Sequence, residues 1–316
     1  MGRLGIINNI EAGRTRARLA KIRALIRNCR AEVREVGDLP SIRAATHELL
    51  AAGVDLLAVN GGDGTAQAVI TELQRCRQVA PDIAILPGGT TNLTAHDING
   101  RLGLEAAIGA LVKQDSYPSA DRHRVSRPLL EVVLPGRPQE FGFFLGAGAI
   151  LAGMRHFRER VGAHGLRDEL AAGLSLLRGL AGIAGGEHAW SQHHTTVQAA
   201  TAPLFAGEQN LVVATTLERL LLGLRPWWGA EAAPVHLTTL AHETTAFLRV
   251  LPSLLRGKRH ELATPANGYR SANVAEFTLT AAEGFALDGQ IFAPEPGSRI
   301  AVRATQPQPL ICLGTQ

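Results

Sequence analysis

Two glycine-rich loops decide the fold of this chain: VNGGDGTAQAV at Val59–Val69 and ILPGGTTNLTA at Ile85–Ala95. Each loop follows a short apolar run and opens a segment with helical periodicity. The order strand, turn, helix repeats from the start of the chain to about residue 115, which predicts a parallel sheet with crossover helices. In such a sheet both loops emerge at the carboxyl ends of the strands, where ligands of these folds bind.

The composition of both loops is typical of a phosphate-binding site. Glycine lets the backbone approach a phosphate closely, and the N–H groups at a helix start attract an anion. Asp63 is the exception, because a carboxylate repels phosphate unless a cation lies between them. Binding of a magnesium nucleotide, or a base beside a transferred phosphoryl group, reconciles the two. The alternative is a pair of tight turns in which Asp63 and Asn92 only cap helices.

Beyond Tyr117–Pro118 the pattern changes to apolar strands separated by glycine and proline. This change predicts a second, mainly antiparallel domain. Two helices are expected within it, at Leu166–Ile183 and Glu243–Leu255. The predicted strands are Leu129–Leu134, Phe141–Leu145, Thr195–Thr201, Asn210–Thr215, Val235–Leu240, Val274–Thr280 and Gly284–Phe292.

The amino-acid composition limits the classes of partner that the chain can bind. The chain has 316 residues, of which 46% are hydrophobic and 19% charged, so a fully disordered protein is excluded. Aromatic residues make up only 4%, which disfavours a stacking platform for nucleic acid, and we expect no nucleic-acid partner. Basic residues are in excess between Arg3 and Arg34, and this positive charge attracts the phosphate of a nucleotide, a nucleic acid or a membrane surface. The alternative is that these residues form a solvated helix face.

The same sequence bears on localisation. No apolar run reaches the roughly 18–20 residues that cross a bilayer. The opening residues MGRLGIINN lack the apolar core of a signal peptide, and the three scattered cysteines form neither a disulfide framework nor a zinc cluster. We therefore expect a cytoplasmic protein that associates transiently, as a peripheral protein, with the inner face of the membrane.

GGDGT at Gly61–Thr65, followed by PGGTTN at Pro87–Asn92, resembles the diacylglycerol kinase catalytic-domain family. This family includes bacterial soluble lipid kinases and the sphingosine and ceramide kinases. Three weaker matches occur in the order typical of the family: IINNIEAGRTR at Ile6–Arg16, LRPWWG at Leu224–Gly229 and GFALDGQIF at Gly284–Phe292.

The resemblance implies an ATP-dependent kinase that uses ATP and Mg²⁺ and phosphorylates a lipid hydroxyl of diacylglycerol, ceramide or a sphingoid-type base. The lipid substrate would lie at the membrane surface, and a homodimer is possible. The family fold implies an N-terminal Rossmann-like parallel α/β domain at 1–120 and a C-terminal antiparallel β-sandwich with a few helices at 121–304. The nucleotide would bind between them, and the last strand, within about 305–316, would return to the first domain.

The motifs assign residues to this chemistry. Asp63 is the expected catalytic acidic residue. The residues expected to bind the nucleotide are Asn8, Asn9, Gly13, Arg16, Gly61, Gly62, Asp63, Gly64, Thr65, Ala66, Gln67, Gly88, Gly89, Thr90, Thr91 and Asn92. Metal ligands in the second domain are not identified, Glu231 being the nearest carboxylate to the expected position.

The chain departs from the family pattern at several polar positions. Gln290 stands where the family has the glutamate assigned as general base toward the lipid hydroxyl, and an amide cannot take that proton. Losing a general base typically costs about 10²–10⁴-fold in rate. Ala68, Leu93 and Glu35 replace other polar residues typical of the family.

Three hypotheses follow from these departures. The chain is a lipid kinase in which positioning suffices or in which Asp63 or Asp288 accepts the proton. It is a catalytically impaired member that binds nucleotide or lipid. Or it is a kinase for a soluble metabolite such as NAD, which the apolar second domain disfavours.

Overall fold

The computed structural model describes residues 3–27, 29–76, 80–115, 118–161, 195–199 and 207–314. The predicted helix Leu166–Ile183 lies outside these ranges. The chain divides into two compact units, Met1–Arg127 with Pro307–Gln316, and Pro128–Gln306. The first unit therefore extends past the predicted boundary at 120, and it contains both ends of the chain.

The strands and helices of the described residues are as follows. The strands are β1 (Leu4–Asn9), β2 (Ala31–Val36), β3 (Leu56–Gly61), β4 (Asp82–Pro87), β5 (Arg124–Arg127), β6 (Leu130–Val133), β7 (Glu140–Gly142), β8 (Phe144–Gly148), β9 (Thr195–Gln198), β10 (Glu208–Thr215), β11 (Val235–Ala241), β12 (Tyr269–Val274), β13 (Glu276–Ala281), β14 (Phe285–Leu287), β15 (Gln290–Phe292), β16 (Ile300–Ala304) and β17 (Gln308–Ile311). The helices are α1 (Gly13–Ala17), α2 (Leu19–Arg27), α3 (Leu39–Ala51), α4 (Asp63–Cys76), α5 (Leu93–Asn99), α6 (Leu104–Asp115), α7 (Ala149–Val161) and α8 (Phe247–Leu254).

The first unit is built on a six-stranded sheet with the order β2-β1-β3-β4-β17-β5. Strands β1 to β4 and β17 are parallel, and β5 pairs antiparallel with β17. The central strands are buried along nearly their whole length, as expected of a parallel sheet covered on both faces by helices. Ile22 and Ile26 of α2 join Leu4 and Ile6 of β1 in one apolar core.

The second unit is built on an eleven-stranded sheet in which the pairings are antiparallel. The sheet curls around an apolar core. Strands from one end of the sheet to the other contribute buried side chains to this core, from Leu130 in β6 to Phe285 in β14. The predicted fold class, parallel α/β followed by antiparallel β, is confirmed.

Three details differ from the sequence prediction. The run Gly284–Phe292 is a hairpin of two short strands, the run Val274–Thr280 contains the end of β12 and most of β13, and the run Phe141–Leu145 is divided between β7 and β8. Among the described residues, no helix combines the length and apolar character needed to cross a bilayer.

Candidate functional site

The two glycine-rich loops meet at the carboxyl edge of the parallel sheet in the first unit. Gly62 follows β3 and Gly89 follows β4, and a Cβ added at Gly89 would overlap the Cα of Gly62. Neither glycine has a positive φ. Glycine is therefore required here by the close approach of two backbones and not by an unusual backbone conformation.

A third segment packs on this junction. The N–H groups of Arg14 and Thr15, at the start of α1, donate to the carbonyl of Gly88 at 3.0 and 3.2 Å. A Cβ added at Gly13 would lie 2.7 Å from Oγ1 of Thr90. The structure thus brings the loop after β1, the loop after β3 and the loop after β4 together, as the sequence predicts for neighbouring parallel strands.

Asp63 is the first residue of α4, and its carboxylate binds the start of another helix. Its two oxygens accept the backbone N–H groups of Leu93 and Thr94, each at 3.0 Å. Burial raises the pKa of the Asp63 carboxyl above its ordinary value, while the hydrogen bonds from Thr94 and Leu93 oppose the shift. Asp63 therefore connects the two glycine-rich loops by capping a helix, which is the alternative role that the sequence left open for it.

Asn92 fixes the shape of the second loop. It lies in the left-handed region with φ 52°, which asparagine tolerates better than most residues. Its side chain accepts from the N–H of Gly89 at 2.8 Å and donates to the carbonyl of the same residue at 2.9 Å. The buried Asn92 amide therefore holds the loop closed.

The predicted nucleotide-binding residues fall into two groups by exposure. One group is buried and builds the loops: Asn8, Gly61, Thr65, Ala66, Gln67, Gly88, Gly89 and Asn92. The other is at least partly open to solvent: Asn9, Gly13, Arg16, Gly62, Asp63, Gly64, Thr90 and Thr91. The second group contains the residues that can contact a ligand directly. The buried Gln67 instead donates to Oγ1 of Thr71 at 3.1 Å, while Asn9 donates to Oγ1 of Thr65 at 2.8 Å.

A buried polar chain that sequence reasoning missed runs behind the loops. Asn60, at the end of β3, donates to Oδ1 of Asn8 at 2.7 Å, and Asn8 is 3.4 Å from Glu35. Two hydrogen bonds from Arg23 lower the pKa of the Glu35 carboxyl. The signal in the sequence is a polar residue inside the apolar run of β3, directly before GGDGT.

Asn60 also has a buried acceptor atom at the loop junction. Its Oδ1 has no hydrogen-bond partner although the residue is fully buried, and a Cβ added at Gly88 would overlap this oxygen. An unpaired buried acceptor costs about 1–3 kcal/mol. This oxygen at the junction of the loops therefore favours a donor from water or from a bound molecule.

In the second unit, the motif LDGQ forms the hairpin between β14 and β15. Asp288 and Gly289 have φ of 44° and 89°, as a two-residue turn with positive φ at both positions requires. The oxygens of the buried Asp288 carboxylate accept the N–H groups of Phe143 and Phe144, both at 2.8 Å. Gln290 is the first residue of β15 and is half-buried.

Metal ligands are sparse in the described part of the chain. No group of three or more histidine, cysteine, aspartate or glutamate side chains there is arranged to hold a metal ion. The carboxylate of Glu231 accepts the N–H of Asn273 at 2.8 Å. A magnesium ion that arrives with a nucleotide needs only one or two carboxylates besides phosphate and water, and Asp63 meets that requirement in the first unit.

Comparison with known proteins agrees with this geometry. Residues 3–120 match the family model of the diacylglycerol kinase catalytic domain. The predicted family resemblance is confirmed. The match covers β1 to β4 and every residue of the loop junction described above.

Solved structures extend the likeness to the whole chain. A proposed diacylglycerol kinase from Bacillus anthracis strain Sterne superposes with a TM-score of 0.66 at 16% identity, and a diacylglycerol kinase from the same strain with 0.61 at 14%. In each case the similarity covers 96% of this chain and 94% of the other. At such low identity these structures establish the fold alone. No curated protein matches the sequence significantly.

Proposed function

We propose that this chain is an ATP-dependent lipid kinase. It transfers the γ-phosphoryl group of magnesium-bound ATP to the hydroxyl of a diacylglycerol, a ceramide or a sphingoid-type lipid at the cytoplasmic face of a membrane. The observation that carries the proposal is the junction of Gly62 and Gly89 at the carboxyl edge of the sheet, inside the segment that matches a kinase catalytic domain.

The half-exposed rim of the junction suits a triphosphate. Gly13, Gly62 and Gly64 leave backbone open to a phosphate, and the exposed Arg16 adds positive charge. Asp63 is the acidic side chain that would hold the magnesium ion of the nucleotide, which neutralises charge on the phosphates when bound. In the reaction, the lipid oxygen forms a bond to the γ-phosphorus, the bond from that phosphorus to the β–γ bridging oxygen breaks, and the hydroxyl proton passes to a base.

The test is transfer of labelled phosphate. Wild-type protein is incubated with ATP labelled at the γ-position, magnesium and mixed vesicles that contain each candidate lipid in turn. We expect label in the organic phase with one lipid class, and its loss in Asp63→Asn. In a parallel incubation with NAD in place of the lipid, label in a small molecule other than inorganic phosphate would instead indicate a kinase for a soluble metabolite.

A second candidate function is favoured by a specific observation. Gln290 occupies the position that the resemblance assigns to the general base, and the carboxylates of Asp63 and Asp288 already accept two backbone N–H groups each. These facts favour a catalytically impaired member that binds nucleotide or lipid without fast turnover.

Gln290→Glu separates the two candidates. If the chain is a slow kinase whose site is otherwise complete, the substitution raises kcat by about tenfold or more, since a general base contributes about 10²–10⁴-fold. Gln306→Glu, which adds the same charge at an exposed position of the second unit, is the matched control and leaves the rate unchanged. Nucleotide binding with no turnover in either variant would support the binding protein.

A further inference from the structure

An exposed apolar and basic surface in the second unit is not used by the proposed chemistry. It consists of Leu222, in the turn after β10, and of α8 with the residues that follow it, and we name it the Leu248 surface. Its members are Leu222, Leu248, Arg249, Arg256, Lys258 and Arg259.

The apolar side chains of this surface are unusually open. Among the described residues, three large apolar side chains are exposed, and two of them belong here: Leu248 at 66% and Leu222 at 45%. The opposite face of α8 is anchored, because Phe247, Val250 and Leu254 are buried in an apolar cluster of the second unit. Leu248 therefore points away from a helix that is fixed in place, and its exposure is not a frayed end.

The backbone around the surface is held in unfavourable conformations. Leu222 has φ 59° and Ala246, which precedes α8, has φ 55°. Such values are uncommon for residues other than glycine, asparagine and aspartate, and they concentrate at functional positions. The N–H of Arg225 donates to the carbonyl of Leu255 at 3.1 Å, so the segment that follows Leu222 is hydrogen-bonded to the end of α8.

The charge of the surface is predominantly positive. The segment 244–260 carries Arg249, Arg256, Lys258 and Arg259 and no aspartate or glutamate, and it is flanked by the exposed Glu243 and Glu261. All four cations are exposed, and within the described residues none forms an ion pair with a carboxylate. Exposed leucine side chains in the same part of the second unit as exposed cations complement a surface that is apolar below and anionic above.

We propose that the Leu248 surface docks this protein on an anionic lipid bilayer. Leu248 and Leu222 enter the boundary between headgroups and acyl chains, and the four cations contact the lipid phosphates. The proposal rests on the proposed function insofar as a lipid kinase must visit a membrane. It adds which surface makes the contact and which lipid charge it selects.

The test measures binding without catalysis. Full-length protein is sedimented, without ATP, with vesicles of phosphatidylcholine alone or mixed with phosphatidylglycerol. We expect binding to the anionic vesicles that weakens as salt increases, because screening acts on exposed charges. Leu248→Ser should lower the partition coefficient about tenfold, whereas Val112→Ser, at an exposed apolar position of the first unit, should not change it.

A charge-matched pair tests the cations. Lys258→Glu combined with Arg259→Glu should lower the partition coefficient by about twentyfold or more, since each basic residue near an anionic surface contributes about fivefold. Arg101→Glu combined with Arg137→Glu makes the same change in net charge at exposed positions elsewhere and should have only a small effect. Circular dichroism and thermal unfolding verify that all four variants fold.

Three outcomes overturn the proposal: no binding of the wild type to anionic vesicles, equal losses in the matched controls, or a dimer that Leu248→Ser dissociates while vesicle binding is unaffected. The last result would assign the surface to a second copy of the chain. Failure of the kinase proposal is separate, because it appears as no turnover of short-chain diacylglycerol, ceramide or sphingoid base in free solution. Leu248→Ser keeps wild-type turnover of the short-chain substrate that the wild type accepts if only docking is lost.

Discussion

At the scale of single residues, the glycines of the loop junction are explained by packing. Gly62 and Gly89 lie so close that their backbones touch, and Gly88 lies against the side chains of Asn60 and Thr15. The sequence predicted that these glycines admit a phosphate. The structure shows that they also allow the two loops to pack closely against each other. The spacing of glycines within one loop cannot reveal this packing.

Gly89→Ala and Gly62→Ala form a matched pair at this junction. The added Cβ at residue 89 would overlap the Cα of Gly62, whereas the Cβ at residue 62 would lie 3.4 Å from the Cα of Gly89, an ordinary contact. We expect Gly89→Ala to lower the free energy of unfolding by about 2 kcal/mol or more and Gly62→Ala to change it by less than about 0.5 kcal/mol. Urea unfolding measures both. Equal changes in the free energy of unfolding for the two variants would show that the loops can move apart without loss of stability.

The role of Asp63 could not be decided from the sequence alone. Both alternatives for Asp63, a helix cap and a partner for a metal, were open from the sequence. The bonds to Leu93 and Thr94 join residues 30 and 31 positions apart, and only the packing of β3 beside β4 brings them together. The buried Asn60 was missed for the same reason, because the polar residue is visible at the end of an apolar strand but its partner Asn8 lies 52 positions away.

At the scale of elements, an ion-pair network fixes the amino edge of the parallel sheet, away from the loops. Asp82, at the start of β4, accepts from Arg122 at 2.9 Å and from Arg124 of β5 at 2.7 Å. The Arg122 side chain is fully buried and also reaches Asp55, which precedes β3. Strand β5, RVSR, was not predicted, because its pairing depends on these charges and on β17 and not on an apolar pattern.

Asp82→Asn should be destabilising in a pH-dependent manner. Burial raises the pKa of Asp82, but hydrogen bonds from Arg124, Arg122 and Ser119 outweigh it, so the pKa of the folded state lies below the ordinary 3.8. A lowered pKa stabilises the fold above the unfolded-state pKa, and this contribution is lost as the pH falls through the folded-state value.

The expected deficit of Asp82→Asn is therefore about 3 kcal/mol at neutral pH, because Arg122 loses a buried partner. It should shrink as the pH falls below 3.8, the ordinary value for aspartate. Urea unfolding over a series of pH values checks this, with Asp121→Asn, at an exposed position of the same segment, as the control. A deficit that stays constant with pH would show that the charge on Asp82 is not what stabilises the sheet.

At the scale of the whole molecule, the chain closes its first unit with its last strand. β17 pairs with β4 on one side and with β5 on the other, so the second unit is inserted in the sequence of the first. The order of apolar runs predicted the two kinds of sheet. The return of β17 was expected from the family resemblance and not from its four residues, QPLI, which carry no information about their partners.

A chain shortened to end at Gln306 tests this closure. It removes Leu310 and Ile311, which are buried to 1% exposure, and each such side chain contributes about 1.5–3 kcal/mol. We expect hydrogen exchange to show loss of amide protection in β1, β3 and β4, with protection kept in β6 to β16. Equal protection in the full and shortened chains would show that β17 is dispensable.

Binding of a magnesium nucleotide at the junction of the three loops can be measured by titration calorimetry. The wild-type protein should bind ATP saturably in the presence of Mg²⁺ and much more weakly without it. Asp63→Asn, which keeps one acceptor oxygen but loses the negative charge, should weaken binding by about tenfold or more. Absence of any binding heat from ATP with magnesium, or equal affinity with and without the ion, would show that the junction is not a magnesium-nucleotide site.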